Sequence, residues 1–180
     1  MAIPTLPRDF KEFLKSLNLN SVEYLLIGGY AVAAHGHVRA TNDLDVWVKI
    51  SAENATRIEC ALRQFGFATP ALAPDLFLIP NNVVRMGVPP IRIEILTSIS
   101  GVEFESCYAE KEMIRIEEVT VPVIQSGSPA GKQGCQCAGE GPGGSGESAG
   151  VAVPERPFAK HYSYLSATVG STRMARRAGI

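Results

Sequence analysis

The spacing of apolar positions changes character several times along the first 124 residues. Phe10, Phe13, Leu14 and Leu17 recur at helical intervals, and residues 18–20, rich in Asn, offer that helix a stop. Tyr24-Leu25-Leu26-Ile27 is a short continuous apolar run ending at Gly28-Gly29, the pattern of a buried strand. Residues 30–35 are Ala-rich and predict a helix closed by Gly36. Asp43-Leu44-Asp45-Val46-Trp47-Val48 predicts a second strand. Ser51 then caps a helix whose apolar face is Ala55, Ile58, Leu62 and Phe65, with Gly66 at its end. Residues 83–86 and 91–96 predict further strands, joined by a turn around Gly87-Val88-Pro89-Pro90. Residues 113–117 and 119–124 predict a hairpin, with Pro122 placing its second arm at a sheet edge. The alternation predicts an α/β domain over residues 1–124, a mixed sheet flanked by helices.

Beyond residue 124 the pattern stops. Residues 125–150 are dominated by Gly, Ser, Pro and Ala, with almost no large apolar side chain. Such a segment cannot bury enough surface to offset its chain entropy, so residues 125–180 are expected to form a low-complexity, disordered tail. Its end is mildly basic through Lys160, Arg173, Arg176 and Arg177 and has no clear period. The composition is also what GC-rich coding DNA yields when read out of frame. Codons can be chosen for residues 125–134 so that a reading shifted by one base spells a Leu-rich helical stretch. The tail is therefore also read as a frameshift product that replaced a native helical segment.

Composition and charge narrow the function classes. Apolar residues make up 46% and charged residues 19% of the 180 residues, the balance of one globular domain. A net charge of −1 gives no global basic field, so strong nonspecific nucleic-acid binding is not implied. Cys60, Cys107, Cys135 and Cys137 lack the paired C-x-x-C spacing of a zinc site. Cys60 and Cys107 are expected to be small buried apolar groups in a reducing cytoplasm. The first residues hold no signal-peptide core, and no apolar run approaches the roughly 18 residues that span a bilayer.

Chemistry concentrates between Ile27 and Val46, where a strand leads into two glycines, a helix and a strand bearing acids. Glycine lets backbone approach a phosphate closely, and a following helix presents free N–H groups. Period-two geometry puts Asp43, Asp45 and Trp47 on one face, with Leu44, Val46 and Val48 on the core face. Two carboxylates so close repel unless a cation lies between them, and hard oxygen ligands suit Mg²⁺. A third acid would complete a two-metal site. Glu94 is the candidate, because in Ile91-Arg92-Ile93-Glu94-Ile95-Leu96 the isoleucines share one face and leave Glu94 on the other. If that strand lies beside the Asp43 strand, Glu94 faces the same cleft. Simpler readings stand beside these. Gly-Gly alone is a tight turn, Asp-x-Asp alone a solvated strand end, and Glu94 a surface ion pair with Arg92 or Lys49. His35 is read as packing at its helix end, and Trp47 as a wall of the cleft or of the core.

In these residues the chain resembles the polymerase-beta-like nucleotidyltransferase superfamily. Its hallmark is Gly-Gly or Gly-Ser after an apolar residue, a spacer of about a dozen residues, Asp-x-Asp, and a later strand acid. The chain is most similar to the minimal bacterial type that includes abortive-infection (AbiEii-like) toxins. Gly28, Gly29, Ala31, Arg39, Thr41, Asp43 and Asp45 fit that pattern, and Glu94 stands where an aspartate is more usual. The resemblance covers residues 6–124. It implies transfer of a nucleoside monophosphate from a nucleoside triphosphate to a hydroxyl of RNA (tRNA included), protein or a small molecule, releasing pyrophosphate. It further implies a toxin–antitoxin or phage-defence setting, with an antitoxin as partner. Mg²⁺ is the implied cofactor, held by Asp43, Asp45 and Glu94, with Glu94 also a base toward the acceptor. Gly28 and Gly29 would cradle the β- and γ-phosphates, and Arg39 and Thr41 would lie at the nucleotide. The rival class is a catalytically silent module that keeps this fold for binding or regulation. The direction of Glu94, toward the aspartates or toward solvent, separates the two.

Overall fold

The computed structural model describes residues 5–37, 41–88, 91–125, 165–169 and 172–173. Helix α1 (Arg8–Leu19) buries Phe10, Phe13, Leu14 and Leu17 as the spacing predicts, and ends at Asn20. Strand β1 (Tyr24–Ile27) is buried along its whole length. Helix α2 (Gly28–Ala34) begins two residues before the Ala-rich pattern suggests, so both glycines belong to its first turn. Strand β2 (Asp43–Val48) leads through Ser51, whose Oγ accepts the Asn54 N–H at 3.2 Å, into helix α3 (Ala52–Phe65). Gly66 closes α3 in the left-handed conformation at φ +116°. A short 3-10 helix (Pro74–Phe77), β3 (Asn82–Val88) and β4 (Ile91–Leu96) follow. Helix α4 (Phe104–Ala109), β5 (Glu112–Ile116), β6 (Val119–Val123), β7 (Leu165–Val169) and β8 (Thr172–Arg173) complete the described elements.

The described strands form one mixed sheet in the order β5-β6-β1-β2-β4-β3-β7-β8. Strand β1 runs antiparallel to β2, whereas β2 and β4 are parallel. One sheet face carries Leu44, Val46 and Val48 of β2, Ile93 and Ile95 of β4 and Val84 and Met86 of β3, all fully buried. These side chains share one core with the apolar faces of α1 and α3. Asn54, itself buried, ties α3 to the sheet: its amide donates to the carbonyls of Glu23 and Lys49 and accepts the Glu23 N–H.

Three expectations need correction. Pro122 does not mark an edge, because β6 lies between β5 and β1. The Ile124 N–H donates to the Leu26 carbonyl, so by alternation the missing amide of Pro122 would also face β1. There β6 meets β1 at a single register pair, Leu26 with Val123, and the β5–β6 ladder stays whole. Cys60 is exposed, while Cys107 is buried as expected. The expectation of a disordered tail falls mostly on residues outside those described. Residues 165–169, however, pair antiparallel with β3 over five register positions, a strand without a legible signal in the sequence. Among the described residues no helix is long and apolar enough to cross a membrane.

Candidate active site

The face of the sheet opposite the core carries the acids. In the parallel register of β2 and β4, Asp43 lies beside Arg92, Asp45 beside Glu94 and Trp47 beside Leu96. The condition set on Glu94 by the sequence is thus met, and its side chain shares a face with both aspartates. On the far side of β4, Arg85 of β3 is the register partner of Glu94. Three carboxylates and two guanidiniums therefore interleave across three adjacent strands.

Each arginine is committed to an acid. Arg92 approaches Asp43 as a fork, Nε donating to Oδ1 at 3.1 Å and an Nη to Oδ2 at 2.8 Å. Arg85 Nε donates to Glu94 Oε1 at 2.8 Å. These pairs are sheltered: the Asp43 side chain is 30% exposed and that of Glu94 17%. The hydrogen bond to Asp43 holds the Arg92 guanidinium above its ordinary pKa, with the charges of Asp43, Glu94 and Asp45 acting the same way against partial burial. The phenol of Tyr30 in α2 is also raised, first by burial and then by the charge of Asp43. The ion-pair reading of Glu94 was right in kind and wrong in partner. Arg92 serves Asp43, and Lys49 pairs with Glu23.

The glycines fit against this strand. Gly28 sits at φ +68°, and a Cβ there would lie 2.0 Å from Asp45 Oδ2. A Cβ at Gly29 would lie 2.6 Å from Cβ and Cγ2 of Thr41. Thr41 in turn braces β2, its hydroxyl donating to the Asp43 carbonyl at 3.1 Å and accepting the Asp43 N–H at 3.3 Å. The absent side chains thus let the first turn of α2 touch Asp45 and the residue that fixes Asp43. Arg39 lies outside the described residues.

Other predicted residues take structural places. Trp47, on the same face as the acids, is fully buried under Phe104, its Nε1 donating to the Thr97 carbonyl at 3.3 Å and its ring edge-on to Phe104 at 5.1 Å. His35 packs at the end of α2, with Nε2 2.7 Å from the Ile124 carbonyl oxygen, and His37 is exposed. A cavity of about 630 Å³ opens beyond Trp47, among residues 97–107, and none of the three acids lines it. The residue overlooked was Arg85. Its signal was there, a charge inside an otherwise apolar strand.

The donor set is chemically that of a hard divalent cation: three carboxylates on one face, with Asp45 and Glu94 side by side in register. In the arrangement seen, with arginines on Asp43 and Glu94, no three ligating side chains converge among the described residues.

No family model matches the chain. None of the curated proteins matches it either. Among solved structures, a candidate nucleotidyltransferase from Thermotoga maritima is similar over 66% of this chain and 76% of its own, at 15% identity and a TM-score of 0.45. That likeness assigns no residue and no activity.

Proposed function

We propose that the protein is a metal-dependent nucleotidyltransferase, transferring a nucleoside monophosphate from a nucleoside triphosphate to a hydroxyl. The observation that carries this reading is the parallel register that sets Glu94 directly beside Asp45, on the face where Asp43 also lies and against which Gly28 closes. Asp43 and Asp45 would hold Mg²⁺, with Glu94 as third ligand. The ion would supply charge neutralisation at the triphosphate and a lowered pKa for the attacking hydroxyl. Glu94, on the strand that lies beyond β2 from β1, would receive the proton of that hydroxyl. The new bond forms between the acceptor oxygen and the α-phosphorus, and pyrophosphate leaves with the electrons of the bond that breaks. The close fit of the Gly28-Gly29 turn against Asp45 and Thr41 supports a place for the phosphates there. An RNA or protein acceptor, and a toxin–antitoxin or phage-defence setting, extend the reading through the resemblance of the motif.

A second reading has an observation of its own. The arginines on Asp43 and Glu94 would equally suit a silent module in which these ion pairs are permanent. One experiment separates the two. The protein is incubated with each labelled nucleoside triphosphate, Mg²⁺ and a cell extract, beside the Asp43→Ala/Asp45→Ala double variant. Label transfer by the wild type that falls to background in the double variant is expected. Equal labelling by the two folded proteins would defeat the enzyme reading.

A further inference from the structure

The cavity of about 630 Å³ beyond Trp47 has the volume of a site for a small organic molecule. Ile50, Ile99 and Val102 give it apolar walls, and the hydroxyl-bearing Ser98, Ser100 and Ser106 line it as well. Charge decides what such a site accepts. Glu103, Glu105 and Glu110 of α4 and its two ends line the cavity, and among the described residues no Lys, Arg or His does. Every other glutamate among the described residues stands within ion-pair distance of a basic side chain, from Glu12 with Arg8 to Glu94 with Arg85. The three at the cavity have no such partner among those residues. A triphosphate would be repelled there, and a cation drawn in. No three ligating side chains among the described residues converge on one metal ion, so the matching cation is an extended one.

We propose that this cavity binds a small organic polycation, an alkyl chain carrying several protonated amines. The ammonium groups lie against Glu103, Glu105 and Glu110, and the methylene stem lies along Ile50, Ile99 and Val102. The stem supplies buried apolar area, and the carboxylates distinguish the cation from a neutral chain of the same length. None of Asp43, Asp45 and Glu94 lines the cavity, so the site stands whether or not those acids transfer a nucleotide.

Spermidine is the probe, with 1,8-octanediol as the neutral chain. Trp47, the one tryptophan of the sequence, lines the cavity, so its fluorescence reports occupancy, and calorimetry gives a second measurement. The wild type is compared with Glu103→Gln/Glu105→Gln/Glu110→Gln and with a control of the same charge change elsewhere, Glu12→Gln/Glu53→Gln/Glu59→Gln. Circular dichroism checks the folding of each. Spermidine is expected to bind the wild type saturably and the diol not measurably. The cavity variant should bind spermidine about tenfold or more weakly, as roughly two- to fivefold is lost with each exposed ion pair. The control variant should match the wild type. No saturable spermidine binding by either measurement, or equal affinity of the wild type and the cavity variant, would overturn the proposal. An equal loss in the control variant would overturn it too, since spermidine would then be held only by the overall charge of the protein.

Discussion

A methyl group at residue 28 would meet Asp45 Oδ2 at 2.0 Å, and the backbone there, at φ +68°, is one that side chains rarely adopt. Gly66 has the second problem without the first, since at φ +116° nothing lies within 4 Å of its would-be Cβ. The two positions therefore separate backbone strain from steric displacement. Gly66→Ala is expected to cost about 1–3 kcal/mol of stability, from strain alone, and to leave label transfer intact. Gly28→Ala carries the same strain and must also push Asp45 off its place beside Glu94, so label transfer should be lost as well. Urea denaturation and the transfer assay, run on both variants, measure the two effects separately. Transfer retained in a folded Gly28→Ala protein would show that the close fit of α2 to Asp45 is not needed for chemistry.

From α3, one buried side chain reaches the backbone at the start of β1 and the end of β2. Ser51 caps the helix from outside, a single bond to the Asn54 N–H, whereas the buried Asn54 amide satisfies backbone groups of Glu23 and Lys49 at the ends of β1 and β2. Ser51→Ala is expected to cost about 1 kcal/mol, the usual worth of an N-cap. Asn54→Ala strands several polar groups in a buried place, each worth about 1–3 kcal/mol, so it should destabilise markedly more. Thermal or urea unfolding checks that ranking, and equal losses would refute it. The contrast also shows what was legible in the sequence. Ser51 and Gly66 announce α3 because capping is local, and the alternation of Asp43, Asp45 and Trp47 announces the face of β2. Neither the hub at Asn54 nor the partners of Arg85 and Arg92 could be read, because they depend on which strands become neighbours. Helix α4 and the 3-10 helix, at six and four residues, are too short to show a period. Pro122 misled for the same reason as Asn54: its cost depends on which strand its missing amide would face.

For the molecule as a whole, the strand order decides what the tail does. The acids lie at the middle of the sheet, on β2 and β4, and β3 with its Arg85 is the next strand outward. Without β7, β3 would be the edge, its outward N–H and C=O groups open to any other strand. Residues 165–169 cover that edge over five register pairs, from Asn82 with Val169 to Met86 with Leu165. A chain ending at residue 125 therefore keeps every acid of the site and both of their arginines while exposing the edge beside Arg85. Its alternate β3 amides, those turned toward β7, should exchange with solvent much faster than in the full chain, while those turned toward β4 stay protected. The bare edge should also promote self-association, visible by size-exclusion chromatography as a species that grows with concentration. Exchange that is equal in the two chains would mean that β7 adds no protection to β3. Label transfer measured on the same pair then tells whether the chemistry needs the tail. Retention of transfer by the short chain would place the whole site within residues 1–125, where the pattern of acids and glycines put it.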